Sequence, residues 1–319
     1  RMSSGAPAPR LEVECLKAYS APLEGRRGLL RLDFNENTIG PSPRVLEALR
    51  AIAADQIAVY PEYDGLREAV VANLSNRDQG RPGLTQPLCP SQIGLFNGVD
   101  AAIHAIFHAY GDRGDLLLTT SPTFGYYTPC AQMQGMEILA IPYEGSDFRF
   151  PLQVIRTLLQ EKRPRLLLLC NPNNPTGTRL APEQILELAV AAPESLVVVD
   201  ELYEAFTGDS VLPQADFSVT PNLLVLRSLA KTAGLAGLRM GFAIGSADVI
   251  DRVSRVTGPY DINSFAVTAA FAALDDQAYV DAYVADVLKA HEWLRSRLEA
   301  SGLPYHLDGG NYLLIWPQQ

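Results

Sequence analysis

Six short apolar runs, separated by stretches with helical spacing, restrict the fold of this chain more than anything else in it. The runs are Asp115–Thr119, Glu137–Ile141, Arg165–Cys170, Leu196–Asp200, Leu223–Leu226 and Met240–Ile244. Most are apolar throughout rather than alternating, the pattern of strands buried on both faces. Loop-plus-helix patterns at Thr123–Gln134, Pro151–Glu161 and about Ala181–Ala191 fall between them. This order predicts an α/β fold in which helices cover both faces of a mainly parallel sheet, giving three layers. Upstream, Pro41-Ser-Pro predicts a helix start with Ser42 as cap and Pro43 in the first turn. A second helix is expected from Tyr63, a short extended piece at Leu30–Phe34, and a strand from Ile93 that feeds a helix N-terminus near Gly98.

The chain length of 319 residues suits one large core and a smaller one. The expected organisation is an arm at 1–35, a large domain at 36–276 and a small α/β domain at 277–319. A long helical stretch from about Ser264 to Ala300 leads into the last unit, whose visible strand is Tyr312–Trp316. A strand so near the final residue leads to the expectation that this small domain continues further. Arg1 before Met2 leads to the expectation of a trimmed or altered start.

The formal net charge is −10, so no basic surplus exists to neutralise a nucleic-acid backbone. No 18-residue apolar stretch and no signal-peptide pattern stand out, so no membrane partner and a cytoplasmic location are expected. The four cysteines (Cys15, Cys89, Cys130 and Cys170) show no CxxC spacing and read as free thiols, with Cys170 a small buried hydrophobe. His104 and His108 stand at i,i+4 without the glutamate of an HExxH motif, so no metal site is expected.

Ligands of open α/β sheets bind beyond the carboxyl ends of the strands. Three such ends carry chemistry here. Asn171-Pro-Asn-Asn-Pro-Thr-Gly177 follows one, Asp200-Glu-Leu-Tyr203 another, and Ser228-Leu-Ala-Lys231 the third. Lys231 is an amine able to condense with an aldehyde and then to move a proton; the bland reading is a surface or phosphate-binding lysine. Asp200 can pair with a protonated pyridine nitrogen, or else cap a helix or bind a metal. Tyr203 and Asn174 can donate to a ring oxygen, although Asn174 also suits a simple turn. Glu201 and Glu204 read as structural or solvated.

A phosphate needs donors. The amides of Gly98 and Val99 open a helix, Ser228 adds a hydroxyl and Arg239 a guanidinium, unless Arg239 is a plain surface cation. Asp100 can cap that helix or orient the donors. Phe124 can stack on a flat ring or serve the core. Tyr60 lies outside the periodic core and could complete a neighbouring site in a dimer. This is the inventory of a pyridoxal 5'-phosphate site.

Eight segments carry a resemblance: Leu32-Asp-Phe-Asn-Glu-Asn-Thr38, Tyr60-Pro-Glu-Tyr63, Asn97-Gly-Val-Asp100, Ser121-Pro-Thr-Phe124, Asn171–Gly177, Asp200–Tyr203, Arg227–Arg239 and Pro259–Ser264. In order and spacing they resemble fold-type I pyridoxal-phosphate enzymes of the aspartate aminotransferase superfamily, and more closely the histidinol-phosphate aminotransferases. The resemblance implies a homodimer with shared active sites. It makes Lys231 the Schiff-base lysine, with Asp200 at the ring nitrogen and Tyr203 and Asn174 at the 3'-oxygen. Phe124 takes the stacking position, usually Tyr in this group. Ser228, Arg239 and the Gly98 and Val99 amides would hold the phosphate, joined by Tyr60 of the second subunit.

Two departures are Ala101, where the family has an acidic residue, and Ala230, where it has a small polar one. The family's substrate-carboxylate arginine would fall beyond residue 319. The implied reaction is transamination of L-histidinol phosphate, an amino-alcohol phosphate, with 2-oxoglutarate, a 2-oxo acid. A threonine-phosphate decarboxylase, an aromatic-amino-acid transaminase and a non-catalytic regulatory protein that keeps the cofactor pocket are the rivals.

Overall fold

Seven strands form one sheet in the computed structural model, which describes residues 5–76 and 81–318. The chain begins with α1 (Leu11–Glu14), α2 (Pro43–Arg50), α3 (Ala54–Ala58) and α4 (Leu66–Ser75). The sheet and its helices follow as β1 (Ile93–Phe96), α5 (Val99–Tyr110), β2 (Leu116–Ser121), α6 (Tyr127–Met133), β3 (Glu137–Pro142), α7 (Leu152–Lys162), β4 (Leu166–Cys170), α8 (Pro182–Ala191), β5 (Leu196–Asp200), β6 (Leu223–Ser228) and β7 (Gly241–Gly245). Then come α9 (Ala247–Ser254), α10 (Ser264–Leu274), α11 (Gln277–Ser301), β8 (Tyr305–His306) and β9 (Leu314–Ile315).

The strand order is β1-β7-β6-β5-β4-β2-β3, and β8 pairs with β9 in a separate ribbon. β7 is antiparallel to both neighbours, and every other pairing in the large sheet is parallel. Two reversals restore direction, so β1 runs with β6. Six strands therefore end on one edge, and β7 starts there.

The two core layers follow from strand alternation. Leu167, Leu169, Val197, Val199, Leu223 and Val225 join one buried cluster with α7, α8 and α10. Leu166, Leu168, Cys170, Leu196, Val198, Leu224 and Leu226 face the other with α5, α6 and α9. Each fully buried aliphatic side chain contributes roughly 1.5–3 kcal/mol. α5 shows the pattern from the helix side: Ile103, Ile106 and Phe107 are buried while His104 and His108 face solvent.

Helix starts follow local chemistry. Ser42 caps α2 by accepting from the Arg44 amide at 3.2 Å, with Pro43 in the first turn. Asn263 caps α10 through the Ala266 amide at 2.8 Å. The expected continuous helix from Ser264 to Ala300 divides at Asp275-Asp276, where Asp276 leaves helical geometry and accepts the Ser42 hydroxyl. Leu30–Phe34, expected to be extended, has no strand partner and stays irregular, tied instead by Arg26 to Asp33. Tyr312–Trp316 contributes only Leu314–Ile315 to a strand, because β8 offers just two residues to pair with.

Candidate active site

Sheet register brings the candidate groups together. Cys170 lies opposite Asp200, Asp200 opposite Leu226, Ser228 opposite Gly241, and Gly241 opposite Phe96. The ends of β4, β5, β6 and β1 thus form a row. Asn174, Tyr203, Lys231 and Gly98 leave that row within four residues of their strands.

Lys231 is half-buried, and its Nζ donates to the Phe34 carbonyl at 2.5 Å. No carboxylate pairs with it directly among the described residues. Burial lowers its pKa, with a smaller push from Arg239, while Glu36 and Asp100 pull the other way. The amine is therefore biased toward its neutral, nucleophilic form.

Asp200 is 2% exposed. Its Oδ2 accepts the Tyr127 hydroxyl at 2.5 Å and its Oδ1 the Leu202 amide at 3.2 Å. Burial pushes its pKa up to about 6, against the lowering effect of these bonds. No cation pairs with it among the described residues, so a buried acid is left one positive partner short. Alternation explains the contact with Tyr127, since Asp200 continues the Leu196 and Val198 face and Tyr127 sits in the cluster on that side.

Tyr203 is buried, and its hydroxyl accepts from Asn35 Nδ2 at 3.0 Å. Burial raises its pKa further than the Asn35 bond lowers it. The asparagine turn divides its labour. Asn171 exchanges two bonds with Leu180, at 2.9 and 2.8 Å. Asn173 holds Pro122 and Thr176, at 3.0 and 2.8 Å. Asn174 is partly exposed and has no side-chain hydrogen bond among the described residues, so its amide is free for a ligand. Phe124 is partly buried and meets Tyr127 edge to face, with centroids 5.4 Å apart.

Gly98, Val99, Ser228, Asp100 and Arg239 gather at the start of α5. Gly98 has φ 82° and ψ 164°, a conformation essentially restricted to glycine. A Cβ there would lie 2.6 Å from Arg239 Nη2, and one on Gly241 would lie 2.7 Å from the Gly98 carbonyl carbon. Arg239 reaches Asp100 at 3.5 Å. Burial raises the Asp100 pKa, opposed by Arg239 and Lys231. The Ser228 hydroxyl accepts the Ala230 amide at 2.9 Å, which leaves its own hydrogen to give. Helix N-terminus, hydroxyl and guanidinium form a suitable cradle for a phosphate.

Tyr60 stands apart from this group. It is 71% exposed and stacks on Tyr260 with centroids 4.2 Å apart. Glu201, read from sequence as structural or solvated, is buried and bonded to Arg227 at 2.9 Å and Ser210 at 2.8 Å. Glu204 joins Arg227 at 2.7 Å.

Sequence reasoning missed Tyr127, Phe34 and Asn35. Tyr127 lies three residues after Phe124 at the start of α6, and its closeness to the Ser121-Pro-Thr-Phe124 segment was the available signal. Phe34 and Asn35 lie in the Leu32–Thr38 segment that carries the resemblance, but nothing local gives them their partners, 197 and 168 residues away in the chain. Together the site offers an anion cradle, a nucleophilic amine, hydroxyl and amide donors, and a buried acid lacking a cation. Pyridoxal 5'-phosphate has the complementary groups: a phosphate, an aldehyde, a ring oxygen and a basic nitrogen.

Comparison with known proteins adds sequence and fold. Residues 27–316 match the family described as aminotransferase class I and II. The histidinol-phosphate aminotransferase of Roseiflexus castenholzii is 36% identical over 322 residues, covering 96% of this chain and 82% of that protein. That of Moorella thermoacetica is 31% identical over 298 residues, covering 91% and 73%. The crystal structure of histidinol-phosphate aminotransferase from Sinorhizobium meliloti in complex with pyridoxal-5'-phosphate superposes with a TM-score of 0.85 at 23% identity, covering 98% of this chain and 83% of that one. A Thermus thermophilus aspartate aminotransferase double mutant gives 0.80 at 25% identity, covering 97% and 85%.

Proposed function

The chain belongs to the class I and II aminotransferases, within the histidinol-phosphate aminotransferase family, and from that premise we propose that it transfers the amino group of L-histidinol phosphate to 2-oxoglutarate. The products are imidazole acetol phosphate and L-glutamate. The enzyme is a pyridoxal-phosphate-dependent transaminase. The cofactor supplies an aldehyde that condenses with amines and a ring that withdraws electrons from the bond broken beside the nitrogen.

In this reading Lys231 holds the cofactor's aldehyde carbon and, once released, carries the proton lost by the substrate. Its depressed proton affinity supports both tasks. Asp200 would pair with the ring nitrogen and favour its protonated form. Tyr203 and Asn174 would donate to the ring oxygen, and Phe124 would pack against the ring. Gly98, Val99, Ser228 and Arg239 grip the phosphate, with Asp100 orienting Arg239. Residues 36–276 form the cofactor-binding body, and 277–319 belong to a smaller unit. Tyr60, exposed on this chain, reaches the phosphate of a second copy in a homodimer. We assign the enzyme to the cytoplasm; among the described residues no helix is long and apolar enough to cross a membrane.

The buried, cation-short Asp200 on the same sheet edge as Lys231 carries the chemical reading. The names of the relatives support the choice of amino donor.

The test supplies L-histidinol phosphate and 2-oxoglutarate to the purified protein and measures glutamate. Glutamate formation that disappears in Lys231→Ala is expected. Release of CO2 from an amino-acid phosphate, without glutamate, would make the enzyme a decarboxylase instead.

A further inference from the structure

We propose that Asn35 is a positioning residue that aims the phenol of Tyr203, an inference that rests on the site reading above. Asn35 Nδ2 donates to Tyr203 Oη at 3.0 Å, and no other side chain bonds that hydroxyl among the described residues. A phenol oxygen that already accepts from an amide keeps its single hydrogen to give elsewhere. Asn35 therefore turns the Tyr203 hydrogen away from itself. The ring cannot swing to compensate, because Tyr203 is buried and Tyr312 packs edge-on against it with centroids 4.9 Å apart.

Asn35 is itself held from several sides. Its φ is 56°, a left-handed conformation that asparagine tolerates better than most residues. Its carbonyl accepts from Asn311 Nδ2 at 2.9 Å. One residue earlier, the Phe34 carbonyl takes Lys231 Nζ at 2.5 Å; two residues later, Asn37 Nδ2 donates to the Thr232 carbonyl at 3.0 Å. The stretch 34–37 thus spans the lysine and the phenol together, fixing one through its backbone and the other through its side chain. An asparagine that only anchored the segment would have no need to meet the hydroxyl.

The experiment is a double-mutant cycle read by the pH midpoint of the visible absorbance of the cofactor-loaded protein. Asn35→Gly keeps the left-handed backbone and removes the amide. Asn35→Asp keeps the shape but offers only acceptors, so the phenol must give its proton to residue 35. Each is compared in the native and Tyr203→Phe backgrounds. The titratable groups facing the phenol, Cys170, Asp200 and Asp100, are unchanged in the Asn35→Gly cycle, whereas Asn35→Asp adds one carboxylate that is present in both backgrounds.

Asn35→Gly should raise the midpoint by about one pH unit in the native background, lower kcat with little change in KM for the keto acid, and add little once Tyr203 is Phe. A shift that persists undiminished in Tyr203→Phe, or no shift at all, overturns the inference. Should Asn35→Gly not fold, the same cycle with Asn35→Asp decides: the direct effect of its new charge persists in both backgrounds, so the shift must be larger with Tyr203 than with Phe, and equal shifts overturn the inference. The parent reading fails separately: a native protein that binds no pyridoxal phosphate, or an absorbance band that survives Lys231→Ala, removes the site itself.

Discussion

Tyr127 and Asp200, 73 positions apart, share a 2.5 Å hydrogen bond in which the phenol donates to the carboxylate. The bond joins a helix start to a strand end and supplies Asp200 with its one side-chain partner among the described residues. A carboxylate so placed is poised to be charged but lacks a counterion until a ligand brings one.

In the cofactor-free protein this has a pH signature. Burial raises the native pKa of Asp200 to about 6, above the ordinary 3.8. As pH rises between these values the unfolded chain loses the proton while the native state retains it. Stability therefore falls through that window and stays lower above it. Asp200→Asn removes the penalty, so at pH 8 the cofactor-free variant should exceed the native protein by roughly 3 kcal/mol, an advantage that fades toward pH 4. Urea unfolding at several pH values measures it, and parallel curves for the two proteins would contradict it.

Tyr127→Phe deletes the donor but keeps the ring. The native pKa of Asp200 should then rise further, because the bond lowers it. A loss of roughly 1–3 kcal/mol at pH 8 is expected, shrinking at pH 5, where the acid is mostly protonated. Thermal unfolding at the two pH values is sufficient; an equal loss at both would show that only packing was changed.

Gly98→Ala should injure cofactor binding as well as folding. The new methyl would enter the space of the Arg239 guanidinium, the far end of a flexible side chain that can move aside. Moving it costs the cradle its cation, and the backbone conformation adds strain of about 1–3 kcal/mol. We expect affinity for pyridoxal phosphate to fall about tenfold or more, measured by titrating the cofactor-free protein. Unchanged affinity would dissociate Gly98 and Arg239 from phosphate binding.

Arg227→Met removes the guanidinium between Glu201 and Glu204, leaving only the weaker pull of Arg81 on Glu204. Both contact Arg227, and burial already raises the Glu204 pKa. Stranding buried carboxylates costs about 3–5 kcal/mol. Protonation relieves it, so the loss should be greatest above neutral pH and shrink under mild acid. A deficit independent of pH would point to lost packing by the arginine stem.

The large sheet was legible because its central strands β4, β5, β6 and β7 are buried on both faces and so carry their signal locally, while the edge strand β3 is only half-buried. The groups at strand ends were legible for the same reason, since Asp200, Asn174 and Lys231 follow recognisable apolar runs. Leu30–Phe34 joins no strand among the described residues, and apolar composition says nothing about whether a neighbouring strand exists to pair with. The break at Asp275-Asp276 was hidden because two acidic residues between helical patterns read equally well as an exposed turn of one helix. Tyr127 and Asn35 escaped notice for a different reason. Each acts on a residue far away in sequence, and only the closed fold brings them into contact.

Because β7 returns beside β6, Ser228, Lys231 and Arg239 belong to one short excursion of the backbone. Hydroxyl, amine and guanidinium are therefore spaced by a single piece of chain, which serves as a fixed gauge. Adding or deleting a residue inside it would shift at least two of the three against the sheet at once. Asn35 and Asn311 come from remote segments and lie outside that piece of chain, so their substitution leaves its length unchanged.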